Sequence, residues 1–186
     1  MKNTTLAFAV MASLGLMSSS AFAASTGTIT FNGELTDTTC NVDINGQGSD
    51  ATVTLPTVSV NQLTQDKDVT GRTSFNMNLS DCVIGTENGK SKVSAFFQPG
   101  TTVDLSSGRL KNVGGSATNV QLQLLDATGD FKVINVGNTD QVNAMAYVDI
   151  SSDGKATLPY AVEYYALGQT TPGTVTSSVV YNLQYK

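Results

Sequence analysis

The residue types that perform most protein chemistry are scarce in this chain of 186 residues. It contains no histidine, which removes Ser-His-Asp and Cys-His catalysis and the common histidine-based zinc and copper sites. Asp37, Asp43, Asp81 and Glu163 are candidates for the carboxylate pair of a glycoside hydrolase. Their spacing brings no two of them together, so we expect solvated acids on strand faces. The sequence therefore predicts a protein that is not an enzyme.

One stretch partly resembles a calcium-binding loop. Asp149, Ser151 and Asp153 alternate ahead of Gly154, as ligands do at the start of such a loop. The twelfth position, where a bidentate Glu is required, is Tyr160. The sequence therefore favours a hairpin turn over a cation site, and we expect no metal or other cofactor.

Three tyrosines are candidates for a surface that stacks on a sugar. Tyr160 and Tyr164 fall on the same face of an alternating segment, as core residues do. Tyr165 points to the opposite face and stays open as a sugar contact. A secreted, monomeric carbohydrate-binding β-sandwich module is therefore an alternative function for this chain.

The first residues predict export. Lys2 supplies a positive start, Leu6–Leu16 a short apolar core, and Ala21–Ala23 a small-x-small cleavage site. The apolar run is too short to span a bilayer. We therefore expect residues 1–23 to be a signal peptide that is cleaved after Ala23.

Two cysteines, Cys40 and Cys82, occur in this exported chain. An even count in an oxidising compartment predicts one disulfide, because the CxxC spacing of a redox pair is absent. Closing a loop of about forty residues stabilises the fold by roughly 4 kcal/mol in the chain-entropy model. The net charge is −5 and no basic cluster occurs, so we expect neither nucleic acid nor anionic lipid as a partner.

Short alternating segments separated by turns dominate the rest of the chain. The composition favours strands, and no long stretch has helical periodicity. The predicted strands are Thr73–Leu79, Lys92–Gln98, Asn119–Leu125, Ala144–Ile150 and Ala156–Leu167. Turn signals occur at Asn45-Gly46, Gly114-Gly115, Asp126–Gly129, Asp153-Gly154 and Pro172-Gly173. This pattern predicts one antiparallel β-sandwich.

An alternating segment also stands at each end of the mature chain. The C-terminal alternation runs through residues 174–185 and only Lys186 follows, so we expect no further strand to cover it from that side. The N-terminal alternation spans Gly27–Leu35. Because exposed strand edges pair with other strands, we expect both segments to pair with a partner chain.

The two ends carry a family resemblance. The mature start from Gly27 to Cys40 resembles the N-terminal signature of chaperone–usher (type 1-like) fimbrial pilin subunits. Those pilins typically carry a glycine fourteenth from the end and a penultimate aromatic residue, which correspond here to Gly173 and Tyr185. The cysteine pair, Leu55-Pro56 and the run Tyr164-Tyr165-Ala166 are also similar to this family. Within it, the chain most resembles the major subunit of uroepithelial-cell-adhesin-type fimbriae.

The resemblance implies an all-β, incomplete immunoglobulin-like β-sandwich that is completed by a donor strand from a neighbouring subunit. It implies that residues 24–33 are an N-terminal donor-strand extension and residues 34–186 the pilin domain. The implied partners are identical or related pilin subunits, a periplasmic chaperone that fills the groove first, and an outer-membrane usher. The implied function is a structural subunit of a bacterial surface fimbria, exported through the periplasm, that supports cell adhesion.

The resemblance and the strand period of two together give the site residues. The predicted donor strand presents one face that consists of Ser25, Gly27, Ile29, Phe31 and Gly33. The predicted groove and chaperone contact consists of Gly173, Val175, Ser177, Val179, Tyr181, Leu183, Tyr185 and Lys186. The family suggests that basic groups of the chaperone hold the terminal carboxylate. A minor adaptor subunit of the same fimbria is a second alternative, and the sequence leaves a host-surface receptor open.

Overall fold

The computed structural model describes residues 27–84 and 89–186. The predicted signal peptide and Ser25 of the predicted donor strand lie outside the described residues. The chain divides after Glu34 into two units. Residues 27–34, the described part of the first unit, contain no assigned strand or helix. In the part of the chain that is described, no helix has the length and hydrophobicity that crossing a bilayer requires.

The second unit, residues 35–186, is built mainly from strands. Its described part holds ten strands, one short α-helix and one turn of 3₁₀ helix at Val60–Gln62. The strands are β1 (Thr39–Ile44), β2 (Asp66–Val83), β3 (Lys92–Phe97), β4 (Val103–Asp104), β5 (Arg109–Lys111), β6 (Val120–Asp126), β7 (Lys132–Val133), β8 (Val148–Asp149), β9 (Ala156–Leu167) and β10 (Tyr181–Tyr185), and the helix is α1 (Gln141–Ala144).

These strands form two antiparallel sheets around one hydrophobic core. The first sheet has the order β1-β2-β9-β6-β5-β4, with β7 also pairing β6, and the second has the order β10-β3-β8. Because successive side chains of a strand point to opposite faces, β2 places Phe75, Met77 and Leu79 in the core. Phe97 of the second sheet meets Tyr160 of the first edge to face, with ring centroids 5.2 Å apart. Aromatic packing therefore joins the two layers.

The predicted disulfide links the first two strands. Cys40 of β1 and Cys82 of β2 are bonded, with Cα atoms 4.1 Å apart. The register of the β1–β2 pairing shifts between Thr39 and Asn41. The bond joins positions 42 residues apart, and it ties the edge strand of the first sheet to that sheet's longest strand.

The predicted strand at Ala144–Ile150 is wrong over most of its length. Only Val148–Asp149 pairs with the start of β3, and α1 lies where the predicted strand begins. The buried Gln141 accepts from the Phe97 N–H with its Oε1 and donates to the Phe97 carbonyl with its Nε2, both at 3.0 Å. The Tyr160 hydroxyl accepts from the Ala95 N–H at 3.0 Å. Two side chains thus occupy the edge of β3 that a longer strand would pair with.

The C-terminal alternation is only partly a strand. The assigned strand β10 begins at Tyr181, whereas residues 174–180 belong to neither sheet. The other four predicted strands match β2, β3, β6 and β9: two lie inside or coincide with a strand, and two differ from it by one residue at one end or at both. The unassigned stretch therefore marks the place where the sandwich differs from a closed one.

Candidate functional site

A groove lies between two segments of the chain that belong to neither sheet. Residues 51–58 and 174–180 are both described without a strand assignment. They contribute to the walls of two cavities of about 490 Å³ and about 540 Å³. Thr176 lines both cavities, so the cavities follow one another along a single groove.

The floor of the first cavity is the hydrophobic core itself. Phe75, Met77, Phe97 and Leu122 line it, and all four are core residues. The second cavity is lined by apolar residues such as Leu63 and by the start of the C-terminal segment. The groove is therefore an apolar slot that opens directly onto the space between the two sheets.

Side chains of the C-terminal segment alternate as the sequence predicts. Odd-numbered residues from Val175 to Tyr185 are half-buried, and even-numbered residues from Thr174 to Asn182 are exposed. Val175, Val179 and the odd-numbered residues of β10 pack against the core. Of the predicted contact residues, Gly173, Val175, Ser177, Val179 and Tyr181 line the cavities, Leu183 and Tyr185 lie in β10, and Lys186 pairs with Lys92 of β3.

Within the described part of the chain, the backbone of this segment has hydrogen-bond partners along one edge. The even-numbered carbonyl oxygens from Thr174 to Val180 accept bonds of 2.7–3.1 Å from donors within residues 98–117. Successive peptide groups of an extended strand point to opposite edges. Among residues 27–84 and 89–186, none offers a partner to the backbone groups of Val175, Ser177 or Val179. With respect to the described residues, the groove-side edge of the segment is therefore open.

A single side chain that the sequence analysis missed fixes the bonded edge. The Nδ2 of Asn112 donates to the carbonyl oxygens of Ala117 at 2.9 Å and Thr174 at 3.1 Å. Its Oδ1 accepts from the N–H groups of Gly115 at 3.0 Å and Thr176 at 2.8 Å. All four hydrogen-bonding sites of this amide are used. Asn112 thereby joins its own turn to the start of the C-terminal segment. No local sequence motif predicts this role.

Two glycines allow this close approach of backbones. A Cβ on Gly115 would lie 2.0 Å from the Thr174 carbonyl oxygen. A Cβ on Gly173 would lie 2.5 Å from the Ala117 nitrogen. The glycine that the family resemblance points to at position 173 thus has a geometric basis, since only glycine has no Cβ to place there.

Tyrosine hydroxyls connect the chain around residues 49–56, on the side of the groove opposite residues 174–180, to the rest of the unit. Tyr181 donates to the Ser49 carbonyl at 2.9 Å, and Tyr164 donates to the Pro56 carbonyl at 3.2 Å. Burial raises the pKa of Tyr164, and burial together with nearby Asp50 raises the pKa of Tyr181. Both phenols therefore stay protonated at neutral pH and remain hydrogen-bond donors.

Ser177 is an unusual member of the groove wall. It stands between Val175 and Val179 in the inward-facing series, and its Oγ is buried without a hydrogen-bond partner among the described residues. An unsatisfied buried hydroxyl costs about 1–3 kcal/mol. The groove as described therefore contains both an unpaired backbone edge and an unpaired side-chain hydroxyl.

The predicted donor face lies in the first unit. Gly27, Ile29, Phe31 and Gly33 are all exposed, with 77% of Ile29 and 88% of Phe31 accessible to solvent. Burying such side chains is worth roughly 1.5–3 kcal/mol each. These residues are therefore free to gain that stabilisation from another surface.

Tyr165, left open as a sugar contact, is not an exposed platform. It is only 7% exposed, and the Arg109 guanidinium carbon lies 3.5 Å above its ring. Glu163, expected to be solvated, is 2% exposed and accepts from Arg72 Nε at 2.8 Å and from Gln123 at 3.1 Å. The expected solvation of Glu163 is wrong, and Tyr165 offers no exposed ring, because a polar cluster on the outer face of β9 covers both side chains.

The partial calcium-loop pattern forms a turn. The Oγ of Ser151 lies within hydrogen-bond distance of the Asp153 carboxylate and the Lys155 carbonyl, and Lys155 pairs with Asp153 at 3.0 Å. In residues 27–84 and 89–186, no group of three or more acidic, histidine or cysteine side chains is arranged to hold a metal ion.

Comparison with known proteins gives consistent similarities. The FimA family model, type-1 fimbrial protein A, matches residues 55–186. The chain is 45% identical to the major fimbrial subunit SMF-1 of Stenotrophomonas maltophilia (strain K279a) over 166 residues, 87% of this chain and 94% of that protein. It is 40% identical to the F17 fimbrial protein of Escherichia coli over 178 residues, 95% and 97% of the two chains. The fold is similar to the crystal structure of the P pilus rod subunit PapA, with a TM-score of 0.55, 21% identity and coverage of 79% and 99%.

Proposed function

This chain belongs to the type-1 fimbrial protein family, and on that premise we propose that its groove accepts an extended strand from another pilin subunit. Family membership makes the chain a structural subunit of an extracellular bacterial surface fimbria, and not an enzyme. Its fold is the all-β, incomplete immunoglobulin-like sandwich of chaperone–usher pilins, and its partners are related pilins. The family predicted from the sequence is confirmed.

The observation that carries the proposal is the one-sided hydrogen bonding of residues 174–180. Their even-numbered carbonyl oxygens are paired, while the backbone groups of Val175, Ser177 and Val179 have no partner among the described residues and border an apolar slot. A strand inserted between this segment and residues 51–58 supplies both missing elements. Its backbone pairs with the open edge, and its inward side chains fill the two cavities.

The inserted strand is the N-terminal extension of the next subunit. Within residues 24–33, the face formed by Ser25, Gly27, Ile29, Phe31 and Gly33 points inward. Ile29 and Phe31 are the large groups that fill the cavities. The domain boundaries are a signal peptide at 1–23, this extension, and a pilin domain at 34–186.

Before assembly, a periplasmic chaperone occupies the same groove and an outer-membrane usher delivers the subunit for exchange. The open edge of residues 174–180 exposes an aggregation-prone strand. A bound chaperone strand removes that hazard during export. The chaperone contacts run from Gly173 through the inward-facing residues to Lys186, whose terminal carboxylate is held by basic groups of the chaperone.

Two alternatives are less favoured. A monomeric sugar-binding module needs an exposed aromatic platform, whereas Tyr165 is buried beneath Arg109. A minor adaptor subunit would use the same groove, and its position in the fibre distinguishes it. Labelling the chain along sheared fibres separates these roles, since a major subunit is labelled along the whole length.

The test uses a synthetic peptide of residues 24–33 and the mature subunit. We expect the peptide to raise the unfolding temperature of the subunit and to slow its self-assembly. A matched peptide with Ile29→Asp should do neither, because a carboxylate cannot enter the apolar slot without a partner. Equal effects of the two peptides, or no effect of either, would overturn the proposal.

A further inference from the structure

Asparagine followed by glycine occurs in two different settings within the described residues. Asn45-Gly46 lies at the turn after β1, and Asn32-Gly33 lies in the first unit. The third such pair begins at Asn88, outside the described residues. In an Asn-Gly pair, the glycine nitrogen can reach the asparagine Cγ because no Cβ obstructs it. The two described pairs therefore allow a comparison of how local structure controls attack of the glycine nitrogen on the asparagine Cγ.

The pair Asn45-Gly46, at the turn, is held in a geometry that blocks this attack. The Oδ1 of Asn45 accepts from the Asn76 N–H at 2.9 Å. The N–H of Gly46, the attacking atom, donates to Asp43 at 3.0 Å. Attack requires both hydrogen bonds to break while the amide swings toward the backbone.

The N-terminal pair has no such restraint. Asn32 and Gly33 are both exposed, and residues 27–34 carry no strand or helix assignment. A Cβ built on Gly33 meets no atom within 4 Å. Among the described residues, no hydrogen bond holds the Asn32 amide or the Gly33 N–H.

We infer that Asn32-Gly33 is a site of spontaneous deamidation in the unassembled subunit. The Gly33 nitrogen bonds to the Asn32 Cγ, the Cγ–N bond of the side-chain amide breaks, and ammonia leaves. Water then opens the resulting five-membered imide at either carbonyl. The products are aspartate or isoaspartate, so one water is consumed and one ammonia is released.

The consequence for assembly rests on the proposed function. Isoaspartate adds a methylene to the main chain, which breaks the period of two next to the inward-facing Gly33. Either product also adds a negative charge to the extension. Conversely, a strand inserted between two walls has its backbone N–H groups paired and its backbone extended, so insertion protects Asn32. The modification therefore accumulates with time in subunits that remain outside a fibre.

The experiment incubates mature unassembled subunit and sheared fibres at mildly alkaline pH, then maps peptides by mass spectrometry. In the unassembled subunit we expect Asn32 to deamidate at least about tenfold faster than Asn45. This factor corresponds to the free energy of breaking the two hydrogen bonds that hold Asn45 and Gly46. Equal conversion of Asn32 and Asn45 would overturn the inference. Gly33→Ala should suppress conversion at Asn32 alone, and unchanged conversion in that variant would also overturn it.

The fibre sample separates this inference from the proposed function. Slower deamidation of Asn32 in fibres than in the unassembled subunit, with Asn45 deamidating equally in the two samples, supports both the inference and the proposed function. Rapid conversion of Asn32 in subunit and fibre alike would retain the modification site and contradict insertion of the extension in a neighbouring groove.

Discussion

At Asn112, one amide holds two distant segments together through four hydrogen bonds. Asn112→Asp keeps the shape but replaces the two N–H donors by an oxygen that faces two carbonyls. We expect a loss of about 2 kcal/mol in unfolding free energy and slower uptake of the 24–33 peptide. Denaturant titration and peptide-binding kinetics measure these effects. Asn143→Asp, at an exposed position of α1, is the matched control, and equal behaviour of the two variants would contradict the role of Asn112.

The close approach at Gly173 makes a second prediction for a single residue. Gly173→Val places a Cβ 2.5 Å from the backbone nitrogen of Ala117, so the C-terminal segment must move away from its bonded edge. We expect less folded subunit and less assembled fibre. Gly129→Val is the control, since a Cβ there meets nothing within 4 Å. Wild-type fibre levels in the Gly173 variant would refute the argument.

Strands show where sequence reasoning succeeds and where it stops. The alternation of β2 is visible because one face of its second half is buried and the other exposed, and register follows from the buried face. The strand predicted at Ala144–Ile150 is wrong because the side chains of Gln141 and Tyr160 take its place at the edge of β3. Asn112 was missed for the same reason. A side-chain amide that substitutes for a strand is a long-range contact, and its position in sequence carries no periodic signal.

The two strands joined by the disulfide give a prediction at the level of elements. Replacing Cys40 and Cys82 by alanine frees the 42-residue span between them in the unfolded chain. We expect a loss of about 4 kcal/mol, from the entropy of loop closure, and a lower yield of subunit with little change of fibre shape. Denaturant unfolding and electron microscopy measure the two outcomes. Two free thiols in the mature wild-type protein would contradict the prediction.

For the whole molecule, the decisive variants separate folding from polymerisation. Ile29→Asp changes an exposed residue of the first unit, so the pilin domain should fold and bind its chaperone normally. Fibres should not form, because the carboxylate would have to enter an apolar groove. Thr28→Asp, which faces the opposite side of the extension by the period of two, is the control. Heat-resistant fibres of the Ile29 variant would show that the extension does not act as the inserted strand.

The open edge of residues 174–180 also has a mechanical consequence. In a fibre built as proposed, the inserted extension is itself the covalent link to the next subunit, so tension runs along that strand. The hydrogen bonds across the open edge lie perpendicular to the strand. Pulling therefore loads them in shear and in parallel, so that many must break together and none is peeled away first. The gap that the inserted strand fills would thus make an assembled fibre hard to pull apart.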